Sequence, residues 1–399
     1  MFIEDSDILS LKNGEPPDNK ELIENYTLGQ EAWLNRIYDY YLDNYIPKGG
    51  SKVKVLIGNE GTGKTHLLRC IEYKAREMGY NSIYFSARNV ENKINNIINF
   101  YRMIAASIDF EKIITGLCLK VATSMGYSQD VYDGSGKILP LLIKDGFGQF
   151  DAAKEIRNAT YNTFKDSDLS PSFFTFACII TRDRMIDENE VSTSMAKNWL
   201  MGEKLERFER RATSLFERLQ RTNARYWLNS LIALLNYSGV KGFVVLIDDL
   251  EVLTKKDEEF GKFIFTPNQV KDFYELIRQI IDDAELLNQF FMVIAGDRSL
   301  VDDERRGFKS YEALWMRLQT GLIPSGRFNS FADIVDTDEH LRTLGDTFPQ
   351  KVSKKLVEVL NTEGFERNSE ININNLNDVS NLKAAVIEVG LRAERKVRS

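Results

Sequence analysis

Cysteine and histidine are scarce in this 399-residue chain, and no apolar run is long. The three cysteines, Cys70, Cys118 and Cys178, are odd in number and far apart, which argues against a disulfide framework or a zinc knuckle and points to a reducing interior. The two histidines, His66 and His340, lack metal-ligand spacing. The longest apolar runs, such as Phe173 to Ile180, fall well short of the roughly 20 residues a membrane helix needs, so no membrane association is expected. Basic charge is not in excess: 52 Lys and Arg stand against 59 Asp and Glu, a net charge of −7. That argues against a surface broadly committed to phosphate backbones but leaves room for a local groove, so contact with DNA stays open. Met1 to Lys20 carries acids and two prolines where a secretory signal has a basic end and an apolar core, and a cytoplasmic chain is expected.

What the sequence does hold is Gly58-Asn59-Glu60-Gly61-Thr62-Gly63-Lys64-Thr65, a complete G-x-x-x-x-G-K-[ST] pattern in its required setting. Val53 to Ile57 before it is short and β-branched, as expected of a strand buried on both faces of a parallel sheet. Leu67, Leu68, Ile71, Ala75 and Met78 after it recur at helical spacing, with Gly79 placed to end the helix. The glycines let successive N–H groups converge on phosphate oxygens at the positive end of a helix dipole. Lys64 is expected to reach the β- and γ-phosphates of ATP, and the Thr65 hydroxyl to hold Mg²⁺. His66, next in line, is grouped with the loop's nucleotide-binding residues and is expected on the helix surface rather than as a catalyst.

Val244-Val245-Leu246-Ile247-Asp248-Asp249-Leu250-Glu251 reads as a buried strand that delivers acids at its C-terminal edge, where ligands bind in open parallel sheets. Asp248 is expected to hold the Mg²⁺, through water, and Asp249 to orient or deprotonate the attacking water, with Glu251 as a substitute. Phe290 to Ala295 is a further buried strand that presents Asp297 just past its end. Ser82 to Ser86 and Phe331 to Val335 complete five strands. Arg317 near the end of a short helix could enter a neighbouring subunit's site and neutralise phosphoryl charge, which implies a homo-oligomer.

The chain thus reads as an α/β P-loop nucleotide-binding fold with a five-stranded parallel sheet. An arm over 1–25 precedes a core over 26–88 and 241–336. A helical insertion over 89–240 is too long for a connecting loop, and a small helical lid covers 337–399. In the core, Trp33, Leu34, Ile37, Tyr38, Tyr41 and Leu42 predict one helix closed by Pro47-Lys48-Gly49-Gly50. In the insertion, Ser128 to Gly148 reads as turns, and Trp199 to Leu235 as one or two long helices. The Glu and Arg residues interleaved from Glu203 to Arg225 read first as a solvated face with ion pairs. The tail with Arg392, Arg395, Lys396 and Arg398 reads as a solvated helix end.

With these pieces placed, the sequence resembles AAA+ ATPases of the initiator-like kind, and more closely the P-loop ATP-binding proteins encoded in bacteriophage-exclusion (BREX) defence clusters. The likeness covers roughly Tyr26 to Leu344. It rests on Leu28-Gly29-Gln30-Glu31, the phosphate loop, Asn198-Trp199-Leu200-Met201-Gly202-Glu203 and Gly239-Val240-Lys241-Gly242. Farther on it includes Ala295-Gly296 and Arg306-Gly307 with Tyr311, Leu314 and Arg317-Leu318. It implies adenine beside Gln30, a sensor role for Asp297, ATP with Mg²⁺, and an effector or DNA-processing partner within a defence system. Asp249 stands where such ATPases usually carry Glu, no lid Pro-Arg element is present, and Lys383 is the nearest stand-in for its arginine.

Overall fold

A computed structural model of the chain describes residues 1–89, 95–186, 191–257, 261–318, 332–367 and 381–395. Helices α1 (Asp5–Asn13), α2 (Lys20–Tyr26) and α3 (Glu31–Asn35) lead into strand β1 (Ser51–Ile57), helix α4 (Lys64–Glu77) and strand β2 (Asn81–Ser86). Eight helices follow: α5 (Ile97–Ser107), α6 (Phe110–Ser124), α7 (Leu139–Lys144), α8 (Gln149–Phe164), α9 (Pro171–Ile186), α10 (Val191–Leu200), α11 (Arg207–Thr213) and α12 (Ala224–Tyr237). The chain then forms β3 (Phe243–Asp248), α13 (Pro267–Asp282), β4 (Phe290–Gly296), α14 (Ser299–Asp302) and α15 (Glu312–Leu318). It closes with β5 (Ile334–Asp336), α16 (Thr337–Leu344), α17 (Phe348–Thr362), β6 (Phe365–Arg367), α18 (Leu382–Arg392) and β7 (Ala393–Arg395).

Five strands pair in the order β2-β3-β4-β1-β5, and every pairing is parallel. Side chains alternate along each strand, so Phe243, Val245 and Ile247 of β3 face one apolar cluster and Val244 and Leu246 face another. The first cluster runs without interruption from the sheet into α5–α12. The second joins the sheet to α2, α4 and α17. Both faces are therefore covered, which is why these strands read as continuous apolar runs.

Several elements differ from expectation. The helix foreseen after Gln30 is α-helical only to Asn35, and Arg36–Tyr45 winds as a π-helix. Its i→i+5 spacing lays Tyr40 on Tyr45, with ring centroids 6.1 Å apart and planes 6° from parallel. Lys54, inside the apolar strand pattern, is wholly buried; its ammonium donates to Ala332 O at 2.7 Å, and burial lowers its pKa to about 8. The turn-rich stretch contains α7, where Pro140 stands in the first turn.

The long helices expected over Trp199 to Leu235 are three short pieces. Gly202 and Ser214 take left-handed φ of 76° and 56°, and Trp199 Nε1 donates to Glu217 O at 2.7 Å, holding the intervening chain out of helix. Helix α13 starts at a capping box formed by Thr266 and Gln269 and stops at Asp282. The basic tail ends in a strand, because β7 pairs antiparallel with β6; Lys396 and Arg398 lie outside the described residues. Of the expected last strand, Ile334 and Val335 are in β5, Ala332 and Asp333 precede it, and Phe331 is not described.

Candidate functional site

Each functional side chain is set by the end of a strand. The loop that follows β1 turns back over the sheet edge, with Gly63 at φ 86° as the N-cap of α4. At Gly58 a Cβ would lie 2.0 Å from Thr337 Oγ1, so only glycine lets β5 and α16 approach this closely. That approach anchors the loop. Thr337 Oγ1 donates to Ile57 O at 3.0 Å and lies 2.7 Å from Thr62 Oγ1, while the Asn59 N–H donates to Asp338 Oδ2 at 2.9 Å. Lys64 Nζ donates to Gly58 O at 2.9 Å and to Asn59 O at 2.8 Å. Lys64 makes no ion pair among the described residues, and a cation held by carbonyls is poised for an anion.

Asp248 ends β3 with its carboxylate buried. It accepts from Tyr84 OH at 3.0 Å and from the Asp249 N–H at 2.9 Å, and the nearby Thr65 hydroxyl favours its ionised form. Burial, followed by the charge of Asp249, raises its pKa despite these donors. A carboxylate kept in the dry beside a second acid and a threonine hydroxyl is the oxygen donor set a small hard dication takes, so Thr65 and Asp248 fit the Mg²⁺ assigned to them.

Asp249 adopts φ 56°, which turns its side chain back toward β2. Ser86 Oγ donates to its Oδ2 at 2.6 Å, and Arg88 Nε lies 3.4 Å from Oδ1. Arg88 also donates to Glu251 at 3.0 Å. Thus Tyr84, Ser86 and Arg88, spaced by two along β2 and the residues just past it, hold Asp248, Asp249 and Glu251 in turn. Sequence reading missed all three, although their polar–apolar alternation beside an acid-bearing strand is the available signal. Arg69 lies 3.8 Å above the Tyr84 ring and donates to buried Glu72, fixing Tyr84 from behind.

Asp297, past β4, pairs with Lys255 and accepts from the Ser299 N–H at 2.9 Å. Burial opposes its ionisation, but these donors outweigh it and hold its carboxyl below the usual range. Glu60 pairs with Lys383 at 2.5 Å, and the Leu382 N–H donates to Gly61 O at 3.1 Å. The N-terminus of α18 therefore rests on the phosphate loop. Arg317 is not brought here. It donates to Asp282 Oδ2 at 2.8 Å and to Ala313 O at 2.6 Å, locking α15 to α13.

Lys64, Thr65, Asp248, Asp249, Asp297 and Lys255 line one cavity of about 960 Å³ together with Leu28, Gln30, Phe348 and Val352. Its charged lining suits phosphates and its apolar lining suits a flat base.

His66 departs from the expected surface position. It is half-buried, with Nε2 2.8 Å from Thr27 Oγ1 and Nδ1 3.1 Å from Tyr26 OH. Burial lowers its pKa from 6.5 to about 4. The unfolded chain therefore binds more protons between these values, so stability rises with pH through this window and is lost as pH falls from about 6.5 toward 4. The expected loss is on the order of 2 kcal/mol, read by urea unfolding at successive pH values. His66→Gln should flatten the dependence and leave only the smaller part due to His340, which burial shifts the same way. An unchanged slope in the variant would assign the effect elsewhere.

A parallel α/β sheet with a glycine phosphate loop at one strand end and an acid pair at another defines a P-loop nucleotide-binding protein. The chain belongs to the family of BREX system ATP-binding proteins BrxC/D, whose model matches residues 5–393. The match reaches beyond the stretch that carried the sequence resemblance and takes in α1 and α18. Among curated proteins and among solved structures, none matches. No helix among the described residues is long and apolar enough to cross a membrane.

Proposed function

We propose that this chain is a Mg²⁺-dependent, ATP-hydrolysing regulatory ATPase of the AAA+ kind, acting in the cytoplasm on an effector or DNA-processing partner of its defence system. The observation that carries the reading is the convergence of Lys64, the Thr65–Asp248 pair and Asp249 on one cavity. Main-chain N–H groups of the Gly58–Thr65 loop and the Lys64 ammonium bind and orient the triphosphate. Thr65 and Asp248 would hold Mg²⁺, which when bound would supply charge neutralisation for the triphosphate. Asp249, with Ser86 Oγ on one oxygen, accepts the proton of the attacking water through the other. The short side chain must be steered, and its left-handed backbone together with Ser86 does that. Asp297 and Lys255 line the same cavity as a polar pair able to sense the terminal phosphate.

The chain would act as a homo-oligomer if Arg317 exchanges Asp282 for a neighbouring subunit's phosphate. Arg317→Ala should then lower turnover by a factor on the order of 10³ at high protein concentration with ATP affinity unchanged, and mass by light scattering should rise with ATP. Equal turnover in the variant removes the assembly reading. A second reading, an ATP-gated scaffold without turnover, is favoured by the Arg88 contacts that occupy Asp249 and Glu251. Phosphate release from the purified chain separates the two.

A further inference from the structure

The segment from Gly202 to Leu219 leaves the body of the insertion and returns to where it started. A Cβ on Gly202 would lie 2.6 Å from Leu219 Cδ2, so the two ends of this excursion touch. Between them stands α11, seven residues and about 10 Å long. Leu205, Thr213 and Leu215 are buried and pin the excursion down. Everything else on it is confined to a small face.

That face is unusual in its charges. From 203 to 218 the chain carries five basic and four acidic side chains, against a net −7 overall. Three of the acids are used locally. Glu206 and Glu209 form the capping box of α11, and Glu217 accepts from Ser172 Oγ at 2.6 Å and Trp227 Nε1 at 3.0 Å. Arg221 and Arg225 reach away to Asp272 and Asp283. Lys204, Arg207, Arg211 and Arg218 are exposed and have no ion-pair partner among the described residues. The solvated, paired face expected from the sequence is therefore half true: it is solvated, but these cations are not paired. Among them sit Phe208 and Phe216, 64% and 61% exposed, a large apolar cost in a surface without a partner.

We propose that this face binds a single-stranded nucleic acid, the four free cations on successive phosphates and the two rings stacked on unpaired bases. Four cations without ion-pair partners on one short excursion, Arg207 and Arg211 one turn apart on α11, match a polyanion. Exposed rings beside them favour a strand whose bases are open, since aromatic stacking is sequence-tolerant and unavailable in a closed duplex. The face lies apart from the nucleotide cavity, so the inference does not depend on ATP turnover.

Fluorescence anisotropy of the full chain with a 20-nucleotide single-stranded DNA, the same sequence as RNA, and the DNA duplex tests it. Four phosphate contacts give a slope of log affinity against log salt of about −3 for single strands. Arg207→Ala with Arg211→Ala should reduce that to about −1.4. Phe208→Ala with Phe216→Ala should weaken binding at least tenfold with the slope kept. Preference for the DNA or the RNA strand identifies the source, and either supports the proposal. A duplex bound as tightly as the single strand overturns it, as does affinity unchanged in both variants, or polyglutamate displacing the oligonucleotide at equal charge concentration. Binding of a fluorescent ATP analogue should be the same in all variants, and circular dichroism reports their folding, so a failed ATP reading leaves this result interpretable.

Discussion

Lys64→Ala is expected to lower ATP affinity by about two orders of magnitude and to bring phosphate release to background. Among the described residues the ammonium donates to the carbonyls of Gly58 and Asn59 alone, both within the loop itself, so its loss leaves the fold intact. On binding, the same three N–H donors would trade those neutral acceptors for charged phosphate oxygens. A hydrogen bond to a charged group contributes roughly 1.5–3 kcal/mol, and two of them lost together account for a hundredfold or more. Isothermal titration with ATP and a coupled phosphate assay check both halves. Retained affinity would mean that the loop does not cradle the triphosphate, and the reading of the whole cavity would fail with it.

Asp249→Asn is expected to cut phosphate release at least a hundredfold while ATP affinity stays within about threefold, the loss a positioned general base typically accounts for. The amide can still accept from Ser86 Oγ, which donates to the carboxylate at 2.6 Å, so the geometry survives and only the basicity goes. Glu251→Gln should cost only a few-fold. Its carboxylate is engaged by Arg88 at 3.0 Å, and it lies one 3₁₀ turn beyond the strand end that aims Asp248 and Asp249. A larger effect at Glu251 than at Asp249 would reverse the two roles. A silent Asp249→Asn would favour the non-hydrolysing scaffold.

Legibility in the sequence followed the physics of each element. The central strands β3 and β4 were readable because burial on both faces leaves nothing polar in Val244 to Ile247 or Phe290 to Ala295, and the phosphate loop because its chemistry permits few residue types. Lys54 shows the limit: a charged residue inside β1 is held by Ala332 O, 278 positions away, and lies over the Tyr41 ring. The π-helix was hidden for a related reason, since its apolar residues suit an α-helix until the tyrosine stacking is seen. The broken helices after Trp199 were missed because helical periodicity continues through a stretch that Glu217 and the two tryptophans Trp199 and Trp227 hold in another conformation. In the site, the acids were legible as strand ends. Their holders Tyr84, Ser86 and Arg88 needed the neighbour order β2-β3, which no local pattern states. Thr337 and Asp338, which anchor the loop, are likewise joined to it only by the fold.

The contact between α18 and the phosphate loop bears on how the chain matures. Glu60 and Lys383 are 323 positions apart, and α1 packs along the same helix, with Gly390 close enough to Leu11 that a Cβ would lie 2.7 Å from its backbone. During synthesis the glycine loop and its strand emerge long before the piece that rests on them, which follows 323 positions after Glu60. Until then the loop is uncovered, and α1 waits without this packing partner. Contacts so distant in sequence form late and slowly, which makes closure over the phosphate loop a late event in biogenesis.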